Sequence, residues 1–434
     1  MSILNILCVH RMGDPYIRRE AVRAVEYMIP ECRSDLNCIV HDADIPLPDY
    51  LKDIEYDLIV LGSTFLDARH DPYKLNGALS SFEFIKHSAA CKVALPQDDY
   101  DCSQLLDDWM MEWGVHWIYS VCPEYWDLLY PRSNSLDRVR LGYTGYISEE
   151  WIDTWANPKD AISRGTDVCY RASNLPANFG SVGQLKGEIA SRFINAASPI
   201  SRIKMDISIN PKDMIPGQAW HSFLENSKFC ITTPSGSSLQ DPKGDIRRCV
   251  DSFLARNPNA AFQQIADSCF FEQDNKLIFT ALSPRNIEAA LSETVQLATP
   301  GSYSGLMLPM AHFIPLAEDC SNIVEVLEMM RDDALIATIR KQCKESMLSE
   351  PRLRRDNIVN EIIGLAEDFI STRRRGVAVN QTDVSRTFDR YRAESKKIES
   401  IYWGKKRILQ KLTPVAVKTG VRRLRNKIVA LKRN

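Results

Sequence analysis

Twice along this chain, short apolar runs rich in β-branched residues alternate with longer stretches of helical period, and no other feature limits the possible folds as strongly. The first series predicts strands over residues 4–9, 37–40, 57–61, 92–95 and 116–121, with helices at 17–28 and 102–113. The second predicts strands over 167–170, 203–209, 228–232, 276–281 and 295–298, with helices at 183–197, 246–255 and 284–293. Alternation of this kind builds βαβ units and parallel sheets covered by helices. From 322 to 370 the pattern is helical only. The expectation is an α/β protein with one Rossmann-like domain over 1–150 and a second over 151–370, the boundary lying in the polar region between Pro131 and Arg164.

Residues 371–434 stand apart. They hold nineteen Lys and Arg against four Asp and Glu, a balance of +15, so the rest of a chain whose formal charge is −2 carries −17. Apolar residues recur among the positive ones at roughly helical spacing in IYWGKKRILQKL and VRRLRNKIVALKRN. A solvated basic helix is the bland reading; contact with an anionic membrane surface or another acidic polymer accounts better for the asymmetry. No run reaches the roughly 18 apolar residues of a membrane span. The opening MSILNILCVHRMGD lacks the basic segment and cleavage site of a secretion signal and reads as a first strand. Twelve cysteines are scattered without a CxxC or a Cys/His ligand spacing, the pattern of reduced, mostly buried thiols in a cytoplasmic protein.

Ligands of open α/β sheets bind beyond the carboxyl ends of the strands, so the turns there are where chemistry is expected. In TALSPRNIEAAL (280–291), Ser283 suits a helix N-cap and Pro284 the first helical position. Arg285 then falls in the first turn, where a cation opposes the helix dipole and an anion would justify it. Glu288 follows on the same face, and an Arg285–Glu288 pair along the helix surface is the plain alternative. After KFCITTP, the residues Ser235, Gly236, Ser237 and Ser238 form a small loop through which backbone N–H groups can approach a phosphate, although Ser/Gly turns also arise for conformational reasons.

The segment PGSYSGLMLPMAHFIPL (300–316) is aperiodic and carries Tyr303, Ser304, Gly305 and His312. In the first series, LPQDDYD places Asp98 and Asp99 at a strand exit, where a carboxylate can serve as general base and where Asp pairs also favour turns. HRMGD (10–14) and LDARHD (66–71) complete that rim. Asp42 and Asp44 form a DxD after the second strand and read as loop, with no metal expected. Neither a GxGxxG after the first strand nor a GxxxxGK[ST] occurs, which argues against dinucleotide redox and P-loop chemistry.

Residues 165–350 resemble the bacterial GT-B glycosyltransferases of surface-polysaccharide assembly, near the spore-maturation-protein-like group. The resemblance is carried by YRAS (170–173), IKMDIS (203–208), WHSFLENSKFCITTPSGSSLQDPKGDI (220–246), SPRNIEAAL (283–291) and GSYSGLMLPMAHFIPLAEDCSNIVEVL (301–327) in order; VALPQDDY (93–100) and LGYTGYI (141–147) are similar to the same group. It implies two Rossmann-like domains facing a central cleft, with a nucleotide-sugar donor on the C-terminal one and a glycan or lipid-linked glycan acceptor on the N-terminal one. By the same resemblance Arg285 meets the donor diphosphate, and Glu288 the ribose or sugar. The 235–238 and 303–305 loops take the remaining phosphate and sugar groups, Arg171 and His312 line the donor site, and Asp98 or Asp99 is the base.

Many retaining members pair two glutamates eight positions apart, but eight residues before Glu288 stands Thr280 and eight after it Gln296, which leaves the stereochemistry open. The expected activity is metal-independent and needs no cofactor, the nucleotide sugar being a substrate. No nucleic-acid partner is expected, an oligomer is left open, and the protein is placed in the cytoplasm, peripheral to the inner membrane face through 371–434. Two other readings stand beside it: a glycosyl-phosphate or phosphoribosyl-type transferase on the same fold, and a non-catalytic GT-B scaffold in a polysaccharide assembly complex.

Overall fold

The computed structural model describes residues 4–14, 20–160, 163–372 and 381–412. In the first half β1 (Asn5–His10), β2 (Asn37–Asp42), β3 (Leu58–Leu61), β4 (Cys91–Ala94), β5 (Trp117–Ser120) and β6 (Val139–Leu141) form a parallel sheet in the order β2-β1-β3-β4-β5-β6. Every residue of β1, β3 and β4 is buried, as strands covered on both faces by helices must be. The second half supplies β7 (Thr166–Arg171), β8 (Met205–Ser208), β9 (Ser227–Thr232), β10 (Ser235–Ser237), β11 (Phe279–Ala281), β12 (Val295–Ala298) and β13 (Ile314–Pro315). Five of these make a second parallel sheet in the order β13-β12-β9-β7-β8, while β10 and β11 pair antiparallel as a separate ribbon.

Both sheets are wound the same way: the chain lays its second strand on one side of the first and its third on the other. The winding therefore reverses between β1 and β3 and again between β7 and β9, and the crevice at such a reversal is where doubly wound sheets hold ligands.

The structure departs from the strand pattern at 276–281, which contributes only the short β11 and leaves the main sheet to pair with β10. Gly236 permits that pairing, because a Cβ there would lie 1.9 Å from the Phe279 carbonyl oxygen. β6 and β13, of three and two residues, are too short to show a period. The expectation of reduced thiols is corrected at one place: Cys249 and Cys269 are joined by a disulfide, their Cα atoms 5.5 Å apart, because the helices Asp245–Arg256 and Phe262–Cys269 fold back on each other.

The helix Arg355–Ser371 crosses back to the first sheet. Its Ile358, Val359, Ile362, Ile363 and Ala366 share one buried cluster with Leu4, Ile6 and Val93, and Tyr119 donates its hydroxyl to Glu361 at 2.7 Å. The helix Gln381–Leu412 then lies along β2, burying Val384, Phe388 and Tyr391; the Tyr391 hydroxyl stands 2.9 Å from His41 Nδ1. The first part of the basic tail is thus docked on the first half of the chain, while the tail residues 373–380 and 413–434 lie outside the described ones.

The two halves meet directly. Asp241 O accepts from Cys102 N (2.7 Å), Pro242 O from Gln104 N (2.9 Å), and Leu282 O from the Thr144 hydroxyl (2.6 Å). Arg247 of the second half pairs with the buried Asp101 of the first.

Candidate functional site

The helix Pro284–Leu291 begins as its sequence predicts. Ser283 has extended backbone, Pro284 follows, and Asn286 Oδ1 accepts from both Ser283 N (3.0 Å) and Ser283 Oγ (2.9 Å). A Cβ on Gly145 would lie 3.5 Å from Pro284, so this helix start abuts the first half of the chain. Arg285 turns inward from it toward the β7/β9 reversal. Its guanidinium donates to the carbonyl of Arg171 at the end of β7 and lies 5.0 Å from the ring centre of Tyr170 and 5.6 Å from that of Trp220.

Nε of Arg285 is buried with no hydrogen-bond partner among the described residues. The hydroxyls of Thr232 and Thr233, at the exit of β9, and of Thr299, at the exit of the adjacent β12, are buried at the same place, Thr233 against the Tyr170 hydroxyl and Thr232 and Thr299 against that of Tyr303. A buried polar group left unsatisfied costs about 1–3 kcal/mol. The guanidinium nitrogen and the three hydroxyls gather at one strand reversal, the place where doubly wound sheets hold ligands.

Glu288, one turn on, is only 5% exposed and accepts from Trp220 Nε1 at 2.6 Å. Burial pushes its pKa up to about 6, against the pull of the Trp220 bond and the Arg285 charge. The surface ion pair that the spacing allowed is therefore not what forms: the carboxylate is inside and its direct partner is an indole.

The remaining donor-side residues divide. The Arg171 carbonyl reaches Arg285, but its side chain turns toward β8, bonding Asp206 (2.6 Å) and the Asp213 carbonyl (3.2 Å) and lying over Phe223. Ser235, Gly236 and Ser237 are strand rather than loop. Ser237 Oγ donates to Leu239 O (2.8 Å), and Ser238 Oγ to Asp274 (2.5 Å), whose carboxylate also takes Ser181 N (3.1 Å) at the start of the helix Gly180–Ala197. These hydroxyls fasten the ribbon to that helix. Tyr303 is fully buried and donates to Thr299 O (2.6 Å), while Tyr303, Ser304 and Gly305 all have left-handed backbone, with φ of 45°, 53° and 74°. Ser304 Oγ accepts from Leu282 N (3.3 Å), which ties this strained turn to the helix start. His312 Nδ1 accepts from Leu308 N (3.0 Å) and closes a local turn, its pKa lowered by burial.

On the first half, the two aspartates part company. Asp98 is exposed, in left-handed backbone (φ 51°), with Oδ1 accepting from the Tyr100 hydroxyl at 2.6 Å. Asp99 is 0% exposed and accepts from Ser120 (2.5 Å) and Tyr130 (2.8 Å), burial raising its pKa. The buried Arg69 holds the loop by donating to the carbonyls of Gln97 (2.6 Å), Asp98 (3.0 Å) and Asp101 (3.0 Å). Asp42 Oδ1 accepts from Asp44 N at 3.0 Å, and Asp44 pairs with Arg11 (3.2 Å), which makes the DxD a fastened turn.

Some groups at the strand reversals have no signature in the sequence. Tyr170, Trp220 and the three threonines resemble ordinary core and strand residues, and only the Thr232–Thr233–Pro234 run at a strand exit hints at them. Glu26 ends the helix Glu20–Glu26 and is of a residue type that is seldom buried. It is buried instead beside the β1/β3 reversal, accepting from Ser63 Oγ (3.0 Å), Thr64 N (2.9 Å) and Thr64 Oγ1 (2.7 Å), with its pKa pushed by burial to about 7. It lines a cavity of about 10 Å³ with Gly62.

Among solved structures the chain is similar to HepE of Anabaena in complex with UDP, at 12% identity and a TM-score of 0.50, covering 84% of this chain and 100% of that one. It is also similar to a glycosyltransferase from Rickettsia africae (10% identity, 85% and 99% covered, TM-score 0.46) and to a DNA-modifying β-glucosyltransferase (12%, 84% and 99%, TM-score 0.44). No protein-family model and no curated protein sequence matches the chain. At these identities the likeness concerns the fold, which is GT-B: two Rossmann-like halves facing a central cleft.

Proposed function

We propose that the protein is a glycosyltransferase that binds a nucleotide sugar at the β7/β9 reversal and transfers the sugar to a glycan or lipid-linked glycan held by the first domain. The observation that carries this reading is the buried Nε of Arg285, beside two aromatic rings at the β7/β9 reversal and without a hydrogen-bond partner among the described residues. A diphosphate supplies the acceptor oxygen this donor lacks, and Arg285 supplies the charge.

In the reaction the bond between the anomeric carbon and the diphosphate oxygen breaks, and the electron pair leaves with the diphosphate. Preorganised donors at that oxygen stabilise the charge as it grows, and this does not call on a metal ion. The acceptor hydroxyl oxygen bonds to the anomeric carbon, and its proton passes to Asp98, the exposed carboxylate at the exit of β4. Asp99, buried on Ser120 and Tyr130, is left the role of shaping that loop. Glu288 is largely ionised at neutral pH and accepts a hydrogen bond from a ribose or sugar hydroxyl. That HepE is described in complexes with UDP and with UDP-glucose supports a nucleotide-sugar donor for the shared fold.

The test is release of free sugar from UDP- and GDP-sugars. The wild type should hydrolyse one of them slowly, and Arg285→Ala should lower that rate roughly 10²-fold, the usual loss on removing one donor to a developing anion. Full activity in Arg285→Ala, or turnover of phosphoribosyl diphosphate instead, would overturn the assignment.

A further inference from the structure

The outward side of the helix Gln381–Leu412 carries apolar side chains that the described residues of the body do not cover. The inward side is anchored: Tyr391 and Trp403 are buried, Lys406 lies 3.6 Å from Asp44, and Arg407 lies 2.8 Å from Asp14. Ile398 lines a small cavity with His41, Ile45 and Pro46 of the body, whereas Ile401 and Ile408, on the far side, are 48% and 60% exposed. Separated by seven residues, Ile401 and Ile408 fall on one side of a helix of 3.6-residue period. Lys397 and Lys405, also exposed, stand on the same ridge one turn before and one turn after Ile401. From residue 400 to the end the sequence has no Asp or Glu and eleven Lys and Arg.

Single exposed apolar residues are ordinary. Two in register on a basic ridge have the composition of a helix that lies in a lipid interface, with its apolar side in the headgroup–acyl boundary and its cations against lipid phosphates. We propose that this ridge seats the protein on an anionic bilayer, Ile401 and Ile408 entering the interface and Lys397 and Lys405 meeting the headgroups. Residues 1–370 carry −17 and are repelled by such a surface, so the charge distribution selects this face for contact. A second copy of the chain fits the ridge poorly, because pairing it with itself brings like charges of Lys397 and Lys405 together. The seat does not depend on the donor chemistry.

Full-length protein should co-float with vesicles of phosphatidylcholine and phosphatidylglycerol and stay behind with phosphatidylcholine alone. The double variant Ile401→Ser/Ile408→Ser keeps every charge and removes only exposed side chains, and it should partition roughly tenfold less. Lys397→Glu/Lys405→Glu should also lose binding, and its remaining binding should respond less to salt. Sugar release in solution should be unchanged in the isoleucine variant, so failure here is separable from failure of the donor site. Undiminished flotation of the isoleucine variant, equal binding to uncharged vesicles, or a concentration-dependent dimer that this variant abolishes without any flotation would each overturn the proposal.

Discussion

Arg285 and Glu288 show how far a local motif can be read. The Ser283–Pro284 start is local chemistry, a cap and a fixed φ, and it is visible in the sequence. That Arg285 turns inward beneath Tyr170 and Trp220, and that Glu288 is buried on an indole 68 residues away in sequence, depends on where β7 and the helix Gln218–Glu225 pack, which no spacing encodes. The Asp98–Asp99 pair makes the same point in one peptide unit: left-handed backbone at Asp98 sends one carboxylate outward and its neighbour into the core.

The Trp220 bond lowers the Glu288 pKa against the rise caused by burial, so removing the bond should move that pKa above about 6. A group that must be ionised then reaches its working form only at higher pH. Trp220→Phe should therefore shift the acid limb of the sugar-release profile to higher pH, with the rate at pH 8 less affected than the rate at pH 6; a profile with an unmoved limb would contradict this role for Glu288.

At the scale of elements, periodicity found the strands of the two parallel sheets except β6 and β13, and among the helices it found Ser103–Glu112, Gly180–Ala197, Asp245–Arg256 and Pro284–Leu291 but not Pro72–Ser81 or Gln218–Glu225. It failed where three residues sufficed for a strand. The 235–238 stretch has the composition of a phosphate-binding loop, yet Gly236 serves a close approach of two backbones and the serine hydroxyls fasten β10 to the neighbouring helix. The helix Asp245–Arg256 was visible in the sequence, but its task was not: it carries Arg247 across to Asp101 and so fixes one half of the molecule to the other. Asp101 is 2% exposed, and its carboxylate also has Asn178 Nδ2 and Cys102 Sγ at 3.5 Å and His70 Nε2 at 3.9 Å. Arg247→Met leaves that carboxylate without its cation, and loss of one partner of a buried pair costs about 3 kcal/mol. Urea unfolding should show that loss; a change within about 0.5 kcal/mol, the range of ordinary surface substitutions, would mean the pair does not hold the halves together.

For the whole molecule, the repeated series of strands implied two α/β halves, and the matching order of the two sheets bears that out. The return of the helices Arg355–Ser371 and Gln381–Leu412 to the first sheet was not visible, since an amphipathic helix does not state which sheet it will cover. The long return leaves the second sheet's β7/β9 reversal facing the first domain, with Arg285, Tyr170, Trp220 and three threonines gathered around it. The central claim is that this reversal binds a nucleoside diphosphate through Arg285. The direct measurement is calorimetric titration of UDP and of GDP into the wild type and into Arg285→Gln, with thermal unfolding confirming that both are folded. The wild type should bind one of the two saturably, and Arg285→Gln, still folded, should bind it at least about tenfold more weakly, as expected for a charge-assisted contact of about 1.5–3 kcal/mol. Equal affinity in the two proteins, or no binding of either nucleotide by the folded wild type, would contradict the account.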